Sequence, residues 1–301
     1  MNRDFKEIYS KINLENLDKV NNIIKRKNIT LIILLILLLI FIFFRKIIFS
    51  NDIVMIIFAA FFIFILVINI LTTIKYKKMF REIIIKKMVN LYNINLEYFL
   101  NKGIVETEYN ESGFYKEFDK YHSENLISGR IFNKYFLKMA QVTTKKVEIL
   151  KDDKGRITGK QDHIVFNGLY GEVNIKDLDK LEIEVAPNTI KSKYKSSRIE
   201  MDSAEFENKY DIFSNNKIKA LEIFSSEVID KMNEFRANMG KTIQIRIKNG
   251  KLFFNVYLGE IFEPPKLKNS IDYDVLYKYF KIIDQPISLL IEILKNIDEM
   301  K

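Results

Sequence analysis

The chain of 301 residues has no cysteine, no tryptophan, two histidines and four prolines. Without cysteine, disulfides and thiolate metal sites are excluded, and the composition suits a reducing or redox-indifferent setting. His122 and His163 are the whole imidazole supply, so a three-histidine metal centre is excluded and a Ser/His/Asp triad could draw only on one of these two. A phosphate loop is also missing, because Gly168-Leu169-Tyr170-Gly171 has neither the glycine spacing nor the lysine.

Positive excess is missing from most of the chain. Residues 1–87 hold 15 Lys/Arg against 6 Asp/Glu, and residues 88–301 hold 33 against 33, so the whole net charge of +9 lies in the first part. A nucleic-acid-binding domain carries a basic footprint, and no nucleic-acid partner is expected here. The excess cation is that of a membrane-surface segment.

Long apolar runs are present. Ile29–Phe44 is 16 residues of Leu, Ile and Phe broken only by Thr30, and Ile53–Leu71 is 19 residues with a single Asn, Asn69. At about 1.5 Å per residue they reach roughly 24 and 28 Å, against a hydrocarbon core of about 30 Å. A soluble helix has no need to be apolar all round. The predicted arrangement is a transmembrane hairpin with spans at about 29–49 and 53–73. Asn69 is a candidate contact between the spans, or with a second protomer.

Lys11, Lys19, Lys25, Arg26 and Lys27 precede the first run, and Lys75, Lys77, Lys78, Arg81, Lys86 and Lys87 follow the second. Only Arg45 and Lys46 sit at the turn. Positive charge stays inside, so both termini are predicted on the cytoplasmic side and the turn outside. Lys25, Arg26, Lys27, Lys75, Lys77, Lys78 and Arg81 are the expected contacts with an anionic inner leaflet. Residues 75–92 place Tyr76, Met79, Phe80, Ile83, Ile84, Met88, Leu91 and Tyr92 on one helical face. Residues 5–24 carry two weaker stripes with a phase break near Asn13. These helices either lie on the leaflet or pack on each other or on the soluble domain.

From about residue 105 the pattern changes to strands and shorter helices. Residues 143–150 and 162–175 read as strands joined by a turn at 152–159, with further strands at 181–185 and 194–201. Asn249-Gly250 suits a type I′ turn, which pairs Ile247 with Leu252, Ile245 with Phe254 and Ile243 with Val256. The opposite face carries Gln244, Arg246, Lys248, Lys251, Phe253, Asn255 and Tyr257, so a half-buried hairpin is predicted. Helices are expected at 202–210, capped by Asp202, and after Ser226 up to Gly240. Two more are expected at about 271–283 and 285–299, with Pro286 in the first turn of the second. The fold class is therefore α+β on an antiparallel sheet.

Three stretches then carry a likeness: Phe166, Gly168 and Leu169; Phe206, Tyr210, Ile212 and Ser214; and Asn249, Gly250, Phe262, Glu263 and Pro264. In this order and spacing they resemble a bacterial membrane family known as domain of unknown function 3137. The resemblance implies two N-terminal spans, one such domain and closing helices over nearly the whole chain, and it implies no established activity. After Tyr170 the sequence departs from the family pattern.

Chemistry-bearing groups are few. His163 lies in a strand, His122 follows the helical-looking 114–122, Asp152-Asp153 belongs to a turn, and Glu182 and Glu184 alternate outward on a strand. No catalytic, cofactor-binding or metal-ligating residue is assigned, and no cofactor is implied. Phe253, Tyr257 and Glu263 are the candidate partner surface. The expected organisation is a cytoplasmic amphipathic segment (1–28), a transmembrane hairpin (29–73), a juxtamembrane helix and linker (74–104), the α+β domain (105–268) and C-terminal helices (269–301). The expected protein is a multi-pass component of a bacterial cytoplasmic membrane. It would be a binding or scaffold module whose partner is a protein or a second copy. A membrane-anchored enzyme working through carboxylates is the alternative, and the small-molecule ligand stays open.

Overall fold

Apolar periodicity sets the first elements. In a computed structural model of the chain, which describes residues 5–12, 14–50, 52–175, 178–188, 197–265 and 271–300, the two apolar runs are long helices. Among the described residues the chain divides into two compact units: one holds residues up to Met88 together with Glu263–Tyr277, and the other Val89–Phe262 with the chain from Lys278 on.

The first unit begins with α1 (Phe5–Lys11), α2 (Leu14–Ser50) and α3 (Asp52–Met79). α2 breaks at Phe44, where φ is −104° and ψ is 15°. Asn13, at the expected phase break, and Asn51, at the turn, lie outside the described residues. Asn69 donates from Nδ2 to Thr30 Oγ1 at 3.3 Å, and Phe41 stacks on Phe58 at 5.7 Å. Both contacts are symmetric about residues 49–50, as expected of two helices folded back on each other. Thr30 turns its own proton to the Lys27 carbonyl, and Thr73 does the same to Asn69, so these hydroxyls are satisfied within the helices. After α3 the helix widens to a π-helical turn (Phe80–Ile85) and resumes as α4 (Lys86–Tyr92).

The second unit is built on nine strands among the described residues. These are β1 (Leu96–Phe99), β2 (Lys120–Ile131), β3 (Tyr135–Lys151), β4 (Ile157–Asn174), β5 (Ile183–Pro187), β6 (Arg198–Ile199), β7 (Tyr210–Ser214), β8 (Ile243–Lys248) and β9 (Lys251–Val256). They form one sheet in the order β1-β2-β3-β4-β9-β8-β5-β7-β6, with every pair antiparallel. The fold is α+β, two long apolar helices followed by this sheet and its helices. β8 and β9 take the expected register, Ile247 opposite Leu252 and Ile243 opposite Val256, around Asn249 and Gly250 at φ of 51° and 66°.

Between the strands lie α5 (Glu106–Ser112), α6 (Ala204–Glu207), α7 (Lys217–Ile223) and α8 (Ser226–Met239), and α9 (Tyr273–Glu299) follows the last strand. One sheet face, with Leu137, Met139, Leu169, Val173, Ile245 and Phe254, is buried on the side of α8 and α9. α8 begins at the cap Ser225, one residue before the expected Ser226, and ends on Gly240 at φ 63°. Ser203, not Asp202, caps α6, and the stretch from Tyr210 belongs to a strand. The strand expected at 194–201 is reduced to Arg198–Ile199, and residues 194–196 lie outside the described residues.

Two expected C-terminal helices are one. Pro286 sits inside α9, where it removes the bond to the Ile282 carbonyl. That costs about 3 kcal/mol in an isolated helix. The stripe Phe280, Ile283, Ile287 and Leu290 is 0–6% exposed on both sides of the proline, and each such burial is worth roughly 1.5–3 kcal/mol. Packing therefore outweighs the lost bond. His122 is likewise in strand β2 and not at the end of a helix.

At Gly168 the backbone just past β9 crowds β4. A Cβ there would lie 2.1 Å from the Val256 carbonyl oxygen and 2.8 Å from the Leu258 nitrogen, both backbone atoms. Gly168→Ala is expected to destabilise the chain by about 1–3 kcal/mol, the usual range for overpacking. A thermal melt of the solubilised chain checks this, and an unchanged Tm contradicts the close approach.

Candidate functional site

The second sheet face differs in kind from the first. Alternation along β8 and β9 puts Gln244, Arg246, Phe253 and Asn255 on it, beneath α5 and residues 113–118. Arg246 donates from Nη1 to the Ser112 carbonyl at 2.8 Å, pairs through Nη2 with Glu184, and lies 5.0 Å over the Phe114 ring. Gln244 Nε2 reaches Glu184 Oε1 at 3.5 Å, and Asn255 Nδ2 donates to Gln244 Oε1 at 3.1 Å. Glu184 is only 3% exposed. A charge so deep is tolerable only when paired and hydrogen-bonded, and this line of side chains supplies both. Arg246 Nε is buried without a partner.

Beside it, Lys138 binds Glu108 at 2.5 Å and approaches Glu172 at 3.7 Å. Lys251 binds Glu111 at 2.5 Å and approaches Glu172 at 4.0 Å. α5 is thus pinned to the sheet at two carboxylates. Burial raises the Glu172 carboxyl above its ordinary range, Lys251 and Lys138 oppose that shift, and Glu108 adds to it. Burial also raises the Tyr170 phenol, and the Glu172 charge adds to that.

At the ends of β5, β7 and β8 this face opens into a cavity of about 240 Å³. Glu182, Glu184, Ser197, Phe213, Arg246 and Lys248 line it. The Lys248 ammonium is held below the usual lysine range by burial first, then by Arg246 and Lys116. Gly113, at φ +67°, closes α5 beside these cations, and a Cβ there would stand 3.2 Å from Arg246 Nη1 and 3.5 Å from Lys248 Nζ. The cavity therefore offers an ammonium crowded by like charge, a carboxylate, a hydroxyl and an aromatic wall. Both imidazoles lie elsewhere: His122 faces Glu124 at 3.8 Å on β2, and His163 binds Glu148 at 2.7 Å on the β3–β4 ribbon.

In the unit that holds the long helices, Glu263 accepts from Arg81 at 2.5 Å and from Lys77 at 2.6 Å. Tyr76 donates its hydroxyl proton to the Pro265 carbonyl at 3.2 Å. Lys25, Arg26, Lys75 and Lys78 are exposed, whereas Lys27 is 7% exposed. Glu263 is thus brought together with Lys77 and Arg81, all three singled out from sequence.

Phe253 and Tyr257 part company. Phe253 is 1% exposed in a cluster with Tyr109, Phe166 and Tyr170, so it is core and cannot contribute to a partner surface in this fold. Tyr257 is 48% exposed and meets Phe166 edge-on at 6.0 Å. The predicted half-buried hairpin is covered on both faces, because α5 and the aromatic residues 114–118 cover what looked solvent-facing. Glu184, expected to point outward, is buried against Arg246. Only β5 lying between β8 and β7 brings these two together, and that crossover has no local signature in sequence.

Residues 164–297 match a family model described as "Protein of unknown function (DUF3137)". All the motif positions from Phe166 to Pro264 fall inside that match, and the two long helices fall outside it. No curated protein matches the chain. Among solved structures, the mycobacterial trehalose monomycolate transport factor A, TtfA, is similar with a TM-score of 0.34 and 6% identity, over 64% of this chain and 86% of that one.

Glu172 makes the site pH-dependent. With a raised pKa the folded chain keeps a proton that the unfolded chain has already released, so stability falls as pH rises above the ordinary carboxyl value of 4.5. Glu172→Gln is expected to melt higher than the natural chain at pH 8, with the gap shrinking as pH falls towards 4.5. Melts across this range test it, and a gap that ignores pH excludes Glu172 as the source.

Proposed function

We propose that the chain is a membrane-anchored binding or scaffold module, with its α+β domain at the cytoplasmic face of a bacterial cytoplasmic membrane. One observation carries the anchoring. Leu17–Arg45 and Asp52–Tyr92 are long and apolar enough to cross a bilayer, and only 11% and 6% of their most apolar windows is buried within the chain. Leu35, Ile36, Ile42, Ile56, Ile57 and Ile63 are each at least half exposed. Water does not tolerate such a surface, and lipid does. The cations Lys25, Arg26, Lys75 and Lys78 support contact with anionic headgroups, each worth about 1 kcal/mol near a charged leaflet.

Binding is assigned to the cavity beside Arg246 and Lys248. Its mixed lining supports recognition of an acidic group on a protein partner more than turnover of a substrate, since its hydroxyls lie apart from both imidazoles.

Because the chain lacks cysteine, single-cysteine probes are clean. Ser50→Cys in whole cells is expected to react with an impermeant maleimide from outside, while the protein resists carbonate extraction. Reaction from the inside only overturns the orientation, and carbonate release overturns the anchor. For the cavity, a photo-crosslinking residue in place of Glu182 is expected to give one discrete adduct in native membranes. Lys248→Glu should abolish that adduct, and an adduct indifferent to Lys248→Glu overturns the assignment.

A further inference from the structure

β3 and β4 run on beyond the rest of the sheet. β2 leaves β3 at the pair Lys120–Lys145, and β9 meets β4 only from Leu169 to Asn174. The pairs from Lys145–Ile164 to Lys151–Ile157 therefore form a two-stranded ribbon. Its exposed side chains include Ile149 at 49%, Ile157 at 66% and Ile164 at 52%. An isolated two-stranded ribbon is marginal in water, and an unpaired edge recruits another strand.

The two edges of the ribbon are treated differently. On the β3 side Asp119 blocks the base: its carboxylate accepts from the Val147 nitrogen at 2.6 Å and its own nitrogen donates to the Lys145 carbonyl at 2.8 Å. On the β4 side residues 157–166 meet no strand among the described residues. We propose that this β4 edge pairs antiparallel with the same edge of a second copy of the chain, about a two-fold axis at Gln161.

Complementarity of the edge with itself selects that occupant. With Gln161 opposite its own copy, Lys160 faces Asp162, Thr158 faces Ile164 and Ile157 faces Val165. A lone edge lysine ordinarily guards against pairing. Here each Lys160 meets a carboxylate of the other copy, and Lys160 makes no ion pair among the described residues of its own chain. Asp162 already holds Lys120 at 2.7 Å and Lys145 at 3.6 Å, and its two oxygens have lone pairs left for a third cation. Shifting the axis by one residue removes this match, placing Lys160 opposite Ile164 or Gly159 opposite Gln161. The outcome is a four-stranded ribbon with opposite charges at its centre, then Gly159 opposite His163, a β-branched pair and an apolar pair on each side. The inference rests on the edge alone and stands apart from the membrane and cavity readings.

The test uses the full chain in native membranes under mild oxidation. Residues directly opposite have Cα atoms about 4.5–5.5 Å apart, within disulfide reach. Gln161→Cys is expected to form a disulfide dimer about tenfold faster than Ile218→Cys, a well-exposed collision control. Adding Lys160→Glu, which sets like charges opposite each other, should bring the rate down to that control. Copies carrying Thr158→Cys and copies carrying Ile164→Cys should cross-link when mixed and not alone. Rates equal to the control, insensitivity to Lys160→Glu, or a disulfide only to a chain of another mass each overturn the proposal.

Discussion

The buried pair of Glu184 and Arg246 is the interaction on which the second unit turns. Removing one partner from such a pair costs about 3–5 kcal/mol, because the other charge is left in a low dielectric. The guanidinium cannot satisfy itself with Glu184 alone, so it also takes the Ser112 carbonyl and the Phe114 ring. One side chain thus ties β5 to β8 across the sheet and fixes the end of α5 above it. The cavity wall is a by-product of that fixation. Where α5 stops at Gly113, the covered face becomes an open one, and the cations that hold α5 become cavity lining.

A different constraint governs the long helices. Their apolar runs are apolar all round, so a few specific contacts, the polar groups among them, fix how they pair. Asn69 and Thr30 are among those few, and each also bonds within its own helix. Interhelical bonds of this kind are worth about 0.6 kcal/mol on average in membranes. They set register more than they add stability. At the cytoplasm-facing end proposed for this hairpin, Glu263 draws on Lys77 and Arg81, so part of the cationic flank is engaged within the chain and part stays exposed.

Much of the fold is legible from local rules. Asn249-Gly250 forces a tight turn, and the register of β8 and β9 follows. Asp152 accepts from the Lys154 and Arg156 nitrogens at 3.0 and 2.8 Å, the turn chemistry that its sequence context announces. What was not legible depends on partners distant in sequence. Phe253 looks solvent-facing until residues 104–121 fold over it. Glu184 looks solvated until the β5 crossover sets it beside Arg246. Pro286 looks like a helix start until the stripe on both sides of it is buried. The cavity was invisible for the same reason, since its lining comes from β5, β7, β8, Glu182 and Ser197, segments that only the sheet order brings together. Glu263 was legible as a group worth noting, and its cationic partners were legible as a cluster, but their meeting was not.

The π-helical turn at Phe80–Ile85 has a geometric result of its own. A π turn lodges one extra residue without adding a turn, which offsets the helix by about 100° between its two ends. Tyr76 before the turn, Phe80, Ile84 and Ile85 within it and Met88 after it are all at most 1% exposed. In a regular helix Ile85 would point about 180° away from Tyr76. The inserted residue acts as a phase corrector, letting one continuous rod obey the hydrophobic clock of the span above and a different one below.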